Sequence, residues 1–300
     1  MTDDKTIILP PVTTQKGDVL VAIPIFKGHE KWVENFLEFH KDYDVMFVEN
    51  TYNDNILYDK LVEMKDSGKY PNLVHVEKHT WNPDDEYILS MLSKCHDKCR
   101  AYMVEHDYKW WLWTSADIYV ENGGSVNELL QWMKWGTDNG NPCHALGYPT
   151  NMYSLDGPMS VYKSGDVIWD EKIKNCRLDI FTNEDFAEHR EIMKDDDNPD
   201  MPFKVHGCVG FTILSHELCS KAKFRYPKGN FKFGEDMFFL NDIERIGYEC
   251  YCDISHEATN YTKPDDYVND IKQSYEDKHP TVIQPVEKTG ESMSIQEAYK

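Results

Sequence analysis

Tyr108-Lys109-Trp110-Trp111-Leu112-Trp113-Thr114-Ser115-Ala116-Asp117-Ile118-Tyr119-Val120 decides how this chain is read. The block opens apolar and aromatic and turns polar before Asp117. A short apolar run bounded by polar residues reads as a buried strand. Asp117 then emerges at the carboxyl edge of that strand, where a charged group needs water, a partner or a metal.

Upstream, the pattern repeats. Asp18–Phe26 (DVLVAIPIF) is apolar and rich in β-branched residues, as buried strands are, and Glu30–Tyr43 places Trp32, Val33, Phe36 and Leu37 on one helical face. Asp44–Asn50 reads as a second strand, 56–66 as a short helix, Leu73–His79 as a third strand. In 85–105, Ile88, Met91, Leu92, Cys95, Cys99 and Tyr102 recur at helical spacing. Downstream, Ser125 is a candidate N-cap for a helix carrying Val126, Leu129, Leu130 and Met133 on one face. This β-α alternation predicts an α/β fold, a mixed, mostly parallel sheet flanked by helices. Ligands of such sheets sit beyond the carboxyl ends of the strands. The polar residues there are Lys27, Glu49, Asn50, Ser115 and Asp117.

The second half is less regular. His144–Tyr153 and Ser160–Asp170 read as strands, and His206–Lys221 as a strand entering a short helix. The polar, acidic segment 182–202 reads as a mobile loop beside the site or a solvated excursion. Gly234–Thr262 gives helix, a turn at Gly247, strand and loop. We expect one domain over 18–262, a loose leader over 1–17 and a polar tail over 263–300.

A content of 40% hydrophobic residues is enough for a sizeable core. The net charge of −21, from 32 basic and 53 acidic residues, favours a soluble, repulsive surface and weighs against a general nucleic-acid binder, which carries a basic face. No secretory signal is recognised at the N-terminus, and no apolar stretch has the ~20 residues that span a bilayer, so no transmembrane segment is expected. Neither Cys95/Cys99 nor Cys250/Cys252 has the spacing of a zinc site, and the eight cysteines read as reduced thiols of a cytoplasmic protein. In that setting the acceptor sequence Asn260-Tyr261-Thr262 is a chance match.

Four features can carry chemistry. Asp117 is a hard oxygen ligand for Mg2+ or Mn2+, or else the cap of the next turn. Glu235-Asp236 follows Gly234 at a helix start, where the dipole favours acids; the pair supplies a general base or only an N-cap. His256 follows a strand as a neutral-imidazole metal ligand or an ordinary surface histidine. Gly207-Cys208-Val209-Gly210 allows close backbone approach to a ligand, or a bulge. Trp110, Trp111 and Trp113 could be sugar platforms, but their alternation within a strand favours core packing.

The order of these features resembles the GT-A glycosyltransferases, with their Rossmann-like nucleotide-binding sheet, nearest the family 2 type. The strand Val19–Phe26 resembles the opening nucleotide-binding strand, which implies donor contacts from Pro24, Ile25 and Phe26. Glu49, or Asn50, matches the acid that ends the family's second strand and contacts the base, and Lys94 and Arg100 lie on the helix behind the nucleotide pocket. Ser115-Ala116-Asp117 aligns with the DxD motif, with Ser115 in place of the first Asp; Asp117 keeps the metal, and Ser115 is left for the ribose or a metal-bound water. The glycine strand places Gly210 in the same pocket. Glu235-Asp236 resembles the acidic pair whose Asp is the base in inverting members, and His256 the later histidine that completes the metal site.

The resemblance implies a metal-dependent glycosyltransferase using Mn2+ or Mg2+. It moves a sugar from a nucleotide-sugar donor, UDP-sugar by family habit, to an acceptor hydroxyl on a glycan, lipid-linked sugar, protein or modified nucleobase. Two other readings stand beside it. A sugar-phosphate nucleotidyltransferase would carry a glycine-rich loop after the first strand, where Phe26-Lys27-Gly28-His29-Glu30 is poor in glycine. A catalytically inactive GT-A domain acting as a binding module is motivated by Ser115.

Overall fold

The computed structural model describes residues 9–120, 124–152, 160–170, 175–194, 201–226 and 234–261. In chain order the elements are β1 (Val19–Ile25), α1 (Val33–Phe39), β2 (Asp44–Glu49), α2 (Ile56–Asp66), β3 (Leu73–Lys78), α3 (Ile88–Glu105), β4 (Trp110–Thr114) and β5 (Ile118–Val120). There follow α4 (Val126–Asp138), β6 (Ala145–Tyr148), β7 (Thr150–Met152), β8 (Val161–Asp170), β9 (Asn175–Ile180) and α5 (Asn183–Lys194). The last are β10 (Phe203–Val205), β11 (Gly207–Cys208), β12 (Phe211–Ser215), α6 (His216–Lys221), α7 (Glu235–Arg245), β13 (Cys250–Cys252) and β14 (Ala258–Asn260).

The central sheet has eight strands in the order β10-β13-β6-β12-β4-β1-β2-β3. β3, β2, β1 and β4 are mutually parallel, as the β-α alternation predicts. β12 enters antiparallel between β4 and β6. β13 is parallel to β6, and β10 closes the edge antiparallel to β13. Only β12 and β10 oppose the other six, so the sheet is mixed and mostly parallel, and the described residues form a single α/β domain. Two small sheets, β11-β8-β9 and β5-β14-β7, are built beside it.

Both faces of the sheet are covered, and β1 shows why its sequence is apolar throughout. Val19, Val21, Ile23 and Ile25 enter one core, while Leu20 and Ala22 enter the other. Burying each large side chain contributes about 1.5–3 kcal/mol. Trp111 and Trp113 belong to the second core and are almost completely buried, so core packing accounts for both. The Trp111 indole Nε1 donates to the Ala22 carbonyl at 2.9 Å, which satisfies its one polar group across β1 and β4.

Three expectations are corrected. The segment 182–202 is not a loop throughout: Asn183–Lys194 is α5, with the Phe186 ring buried against Phe181 and Phe203. The helix expected over Glu30–Tyr43 starts as a 3-10 turn, Lys27–Trp32, and becomes α-helical only over Val33–Phe39. Asp117 does not end the strand itself: β4 stops at Thr114, the chain turns at 115–117, and β5 follows. Part of the expected leader is also tied down, since Leu9 and Val12 pack on the core. The tail over 263–300 lies outside the described residues. Ser125 caps α4 as expected, its Oγ accepting from the Glu128 N–H at 3.2 Å. Among the described residues no helix is long and apolar enough to cross a membrane, and Cys95, Cys99, Cys143, Cys208, Cys219, Cys250 and Cys252 are free thiols.

Candidate functional site

Two carboxylate corners lie at the carboxyl edge of the sheet. The first follows β4. The 115–117 turn is closed by the Ile118 N–H on the Ser115 carbonyl at 3.2 Å, and Ser115 Oγ donates to Asp117 Oδ1 at 2.7 Å. Ser115 therefore orients the carboxylate that follows it, a role an aspartate could not fill. Ala116 is buried in the core, and its carbonyl accepts from Tyr119 Oη at 2.9 Å. His29 lies in the turn after β1, its ring 4.3 Å from Phe26. Burial pulls His29 below its ordinary range, and the charge of Asp117 is the largest influence pulling it back. Its Nδ1 is buried without a partner.

The chemistry of these donors bears on the metal that the resemblance implies. Among the described residues no group of three or more His, Cys, Asp or Glu could hold a metal ion. One carboxylate with a nearby unpartnered imidazole still fits Mg2+ or Mn2+ of the kind completed by substrate phosphates and water, which needs only one or two protein ligands.

The second corner is the start of α7. This helix runs back along the sheet to β13, which parallels β6, so its N-terminus lies toward the same carboxyl edge. Asp236 Oδ1 accepts from the Met237 N–H at 2.8 Å and Oδ2 from Tyr162 Oη of β8 at 3.1 Å. Burial, then the adjacent Glu235 charge, pushes the Asp236 carboxyl up to about 6. Glu235 is 8% exposed and faces His96 of α3, with Oε1 3.2 Å from Nδ1. The His96 ring lies edge-on to Trp113 of β4 and 5.0 Å from Phe224. Gly234 is needed here, because a Cβ at that position would run into Asp236 Oδ1.

Several expected site residues are placed elsewhere. His256 is not brought to Asp117. Asn260 pairs with Ile118 and Ala258 with Val120, while the Tyr261 N–H donates to the Asp117 carbonyl. Asp117 thus stands at one end of this ribbon and His256 beyond the other, about 10 Å of strand apart. His256 Nε2 is instead 3.1 Å from Glu128 Oε2, with the Tyr148 ring edge-on.

Arg100 is engaged within the fold. It lies about 18 Å along α3 from Ile88, where it clasps Asp97 and the Cys219 carbonyl, tying α3 to α6. Lys94 is exposed and paired with Glu86 at 2.6 Å. Glu49 is completely buried between Lys78 and the Thr51 N–H. With both oxygens engaged it holds the 51–55 loop, because Lys78 also binds the Thr51 and Asp54 carbonyls. Asn50 is buried, takes the Trp81 indole N–H on its carbonyl at 2.7 Å, and leaves its Oδ1 unsatisfied. Ile25 is buried and Pro24 and Phe26 half-buried at the end of β1. Gly210 has φ +110° and packs so closely on Thr150 that a Cβ would overlap its hydroxyl. The reason for that glycine is therefore steric.

His29, His96 and Tyr162 were not singled out by sequence. Each is an isolated residue whose partner is far along the chain, so no spacing announces it. His29 alone offered a signal, in its place just after the first strand.

No family model matches the chain, and no curated protein matches it in sequence. Among solved structures, the chain is similar to the crystal structure of GalNAc-T7 with UDP, GalNAc and Mn2+, at 11% identity and a TM-score of 0.48. The match covers 82% of this chain and 44% of that one, so the chain spans less than half the length of that neighbour.

Proposed function

We propose that the chain is a GT-A-type glycosyltransferase in which Asp117 serves the nucleotide-sugar donor and Asp236 the acceptor. The carrying observation is the Asp236 corner: a half-buried carboxyl at a helix start, held on both oxygens and pushed up to about 6. A base with that affinity is ionised at neutral pH and still takes a proton effectively. Asp236 removes the proton of the acceptor hydroxyl as it attacks the anomeric carbon from the face opposite the leaving group, so the product is inverted.

Asp117, oriented by Ser115 and with His29 beside it, would hold Mn2+ or Mg2+. When bound, the cation offsets the negative charge that develops on the leaving diphosphate. Phe26 and the 115–117 turn border the donor side. A UDP-sugar is the favoured donor, from the resemblance alone. The acceptor is a hydroxyl compound, and the acidic surface disfavours anionic ones.

Thermal shift with UDP, GDP and CDP, with and without Mn2+, tests the donor half. We expect one nucleotide to stabilise the wild type only with Mn2+, no such shift in Asp117→Ala, and the shift retained in Asp236→Asn. No shift with any nucleotide would remove the transferase reading.

A further inference from the structure

The Asp236 corner contains a basic residue that no motif predicts. We infer that His96 is the positioning residue of the carboxyl pair, supplying the charge that lets Glu235 and Asp236 stand side by side and keeps Asp236 available as a base. This rests on the proposed role of Asp236.

Two adjacent carboxylates at a buried helix start repel one another, and like charges disfavour ionisation of both. The dipole of α7 offsets part of this. Asp236 has two further donors, Met237 N–H and Tyr162 Oη. Glu235 has the imidazole of His96, and the two side chains are 10% and 12% exposed. A charge left unpaired at such burial is costly.

The ring is held by packing more than by its polar contact. Trp113 meets it edge-on at 5.9 Å and Phe224 at 5.0 Å, while Nδ1 lies within ion-pair distance of Glu235 but off the hydrogen-bond axis, without a bonded partner. Side-chain contacts around a catalytic base are often loosely aligned in the absence of substrate. The rest of the surroundings is acidic or phenolic. Glu235 and Asp236 come from α7, Tyr162 from β8, with Cys208 of β11 behind it, and Tyr226 from the segment after α6. The other cations on α3, Lys94, Lys98 and Arg100, are paired with Glu86, Glu77 and Asp97. His96 is thus the basic side chain set against the pair, and its charge, when protonated, lowers the Asp236 carboxyl against the effects of burial and Glu235.

The experiment is carboxyl 13C NMR of the full chain with labelled aspartate, the Asp236 signal being assigned by its loss in Asp236→Asn. In the wild type its midpoint should lie near 6. His96→Gln should move the midpoint up by roughly half a unit to one unit, and His96→Lys should return it toward the wild type. An unmoved midpoint in a folded His96→Gln protein would overturn the role of His96 while leaving Asp236 as the base. A wild-type midpoint near the ordinary ~4 of an aspartate would instead remove the base reading itself. If the variants do not fold, 15N-histidine spectra of the wild type decide. A His96 ring signal that follows Asp236 ionisation supports the coupling, and one that ignores it overturns it.

Discussion

Residues 19–138 and 145–260 complete one sheet by different means. In the first region a helix stands between each of β1, β2, β3 and β4 and the next, and the four strands lie parallel and contiguous. In the second, β12 crosses back to lie between β4 and β6, and β13 joins from beyond α7. The Asp117 corner belongs to the first kind of construction, for its turn and its oriented carboxylate come from three consecutive residues. The Asp236 corner belongs to the second, drawing on α3, β8 and α7. Local construction leaves a signature in the chain, whereas the second kind exists only once distant strands have docked.

The comparison breaks most sharply if the two regions are separate folding units. Leu112 of β4 and Ile213 of β12 lie opposite one another across the junction, both 0% exposed and in one core. Leu112→Ala and Ile213→Ala should each cost about 2–5 kcal/mol in denaturant unfolding. The double variant should depart from additivity by at least ~0.5 kcal/mol, as contacting residues do. A single transition in all three variants is expected. Two transitions, with Ile213→Ala moving only one of them, would show that the regular half folds without its partner.

A smaller effect separates the two acidic corners. The Asp236 carboxyl lies near 6 in the folded protein and 3.8 ordinarily. Between about pH 4 and 6 the folded state therefore holds the proton that the unfolded state has released, and stability falls as pH rises through that window. Above it the ionised carboxylate costs on the order of 3 kcal/mol. Asp236→Asn should thus be more stable than the wild type at pH 7 by about that amount, with the advantage gone below pH 4. Urea unfolding at both pH values measures it. A destabilised Asp236→Asn at pH 7 would mean that the carboxylate is structural.

How much was legible follows the same division. The strand Val19–Ile25, the helix Ile56–Asp66 and the Ser125 cap could be read because period and capping are local properties. The acidic pair of α7 could be read as a helix start for the same reason. Its raised affinity for protons could not, since the burial that raises it is supplied by other parts of the fold. Glu49 shows the converse. A strand-end acid was visible, but nothing in the local sequence showed that Lys78, at the end of the next strand, would occupy it. The helix Asn183–Lys194 was missed because its composition is acidic and polar, and its one deeply buried ring, Phe186, finds its partners in Phe181 and Phe203.

The smallest expected effect concerns His256, where motif order and strand register disagree. Motif order makes it a metal ligand with Asp117, and register places it at the opposite end of the β5–β14 ribbon, against Glu128. Glu128 already receives the Tyr148 hydroxyl at 3.4 Å, and its N–H is held by Ser125. The His256–Glu128 pair is partly exposed, 19% and 27% at the side chains, so it is worth ~1 kcal/mol or less. His256→Ala should therefore lower stability by no more than that and leave any Mn2+-dependent nucleotide shift intact, unlike Asp117→Ala. The register requires this result, because closing the gap would break the pairing of Asn260 with Ile118 and the Tyr261 bond to the Asp117 carbonyl. Loss of the manganese dependence in His256→Ala would show that the ribbon rearranges around the metal, and that the second region is as much a part of the donor corner as the first.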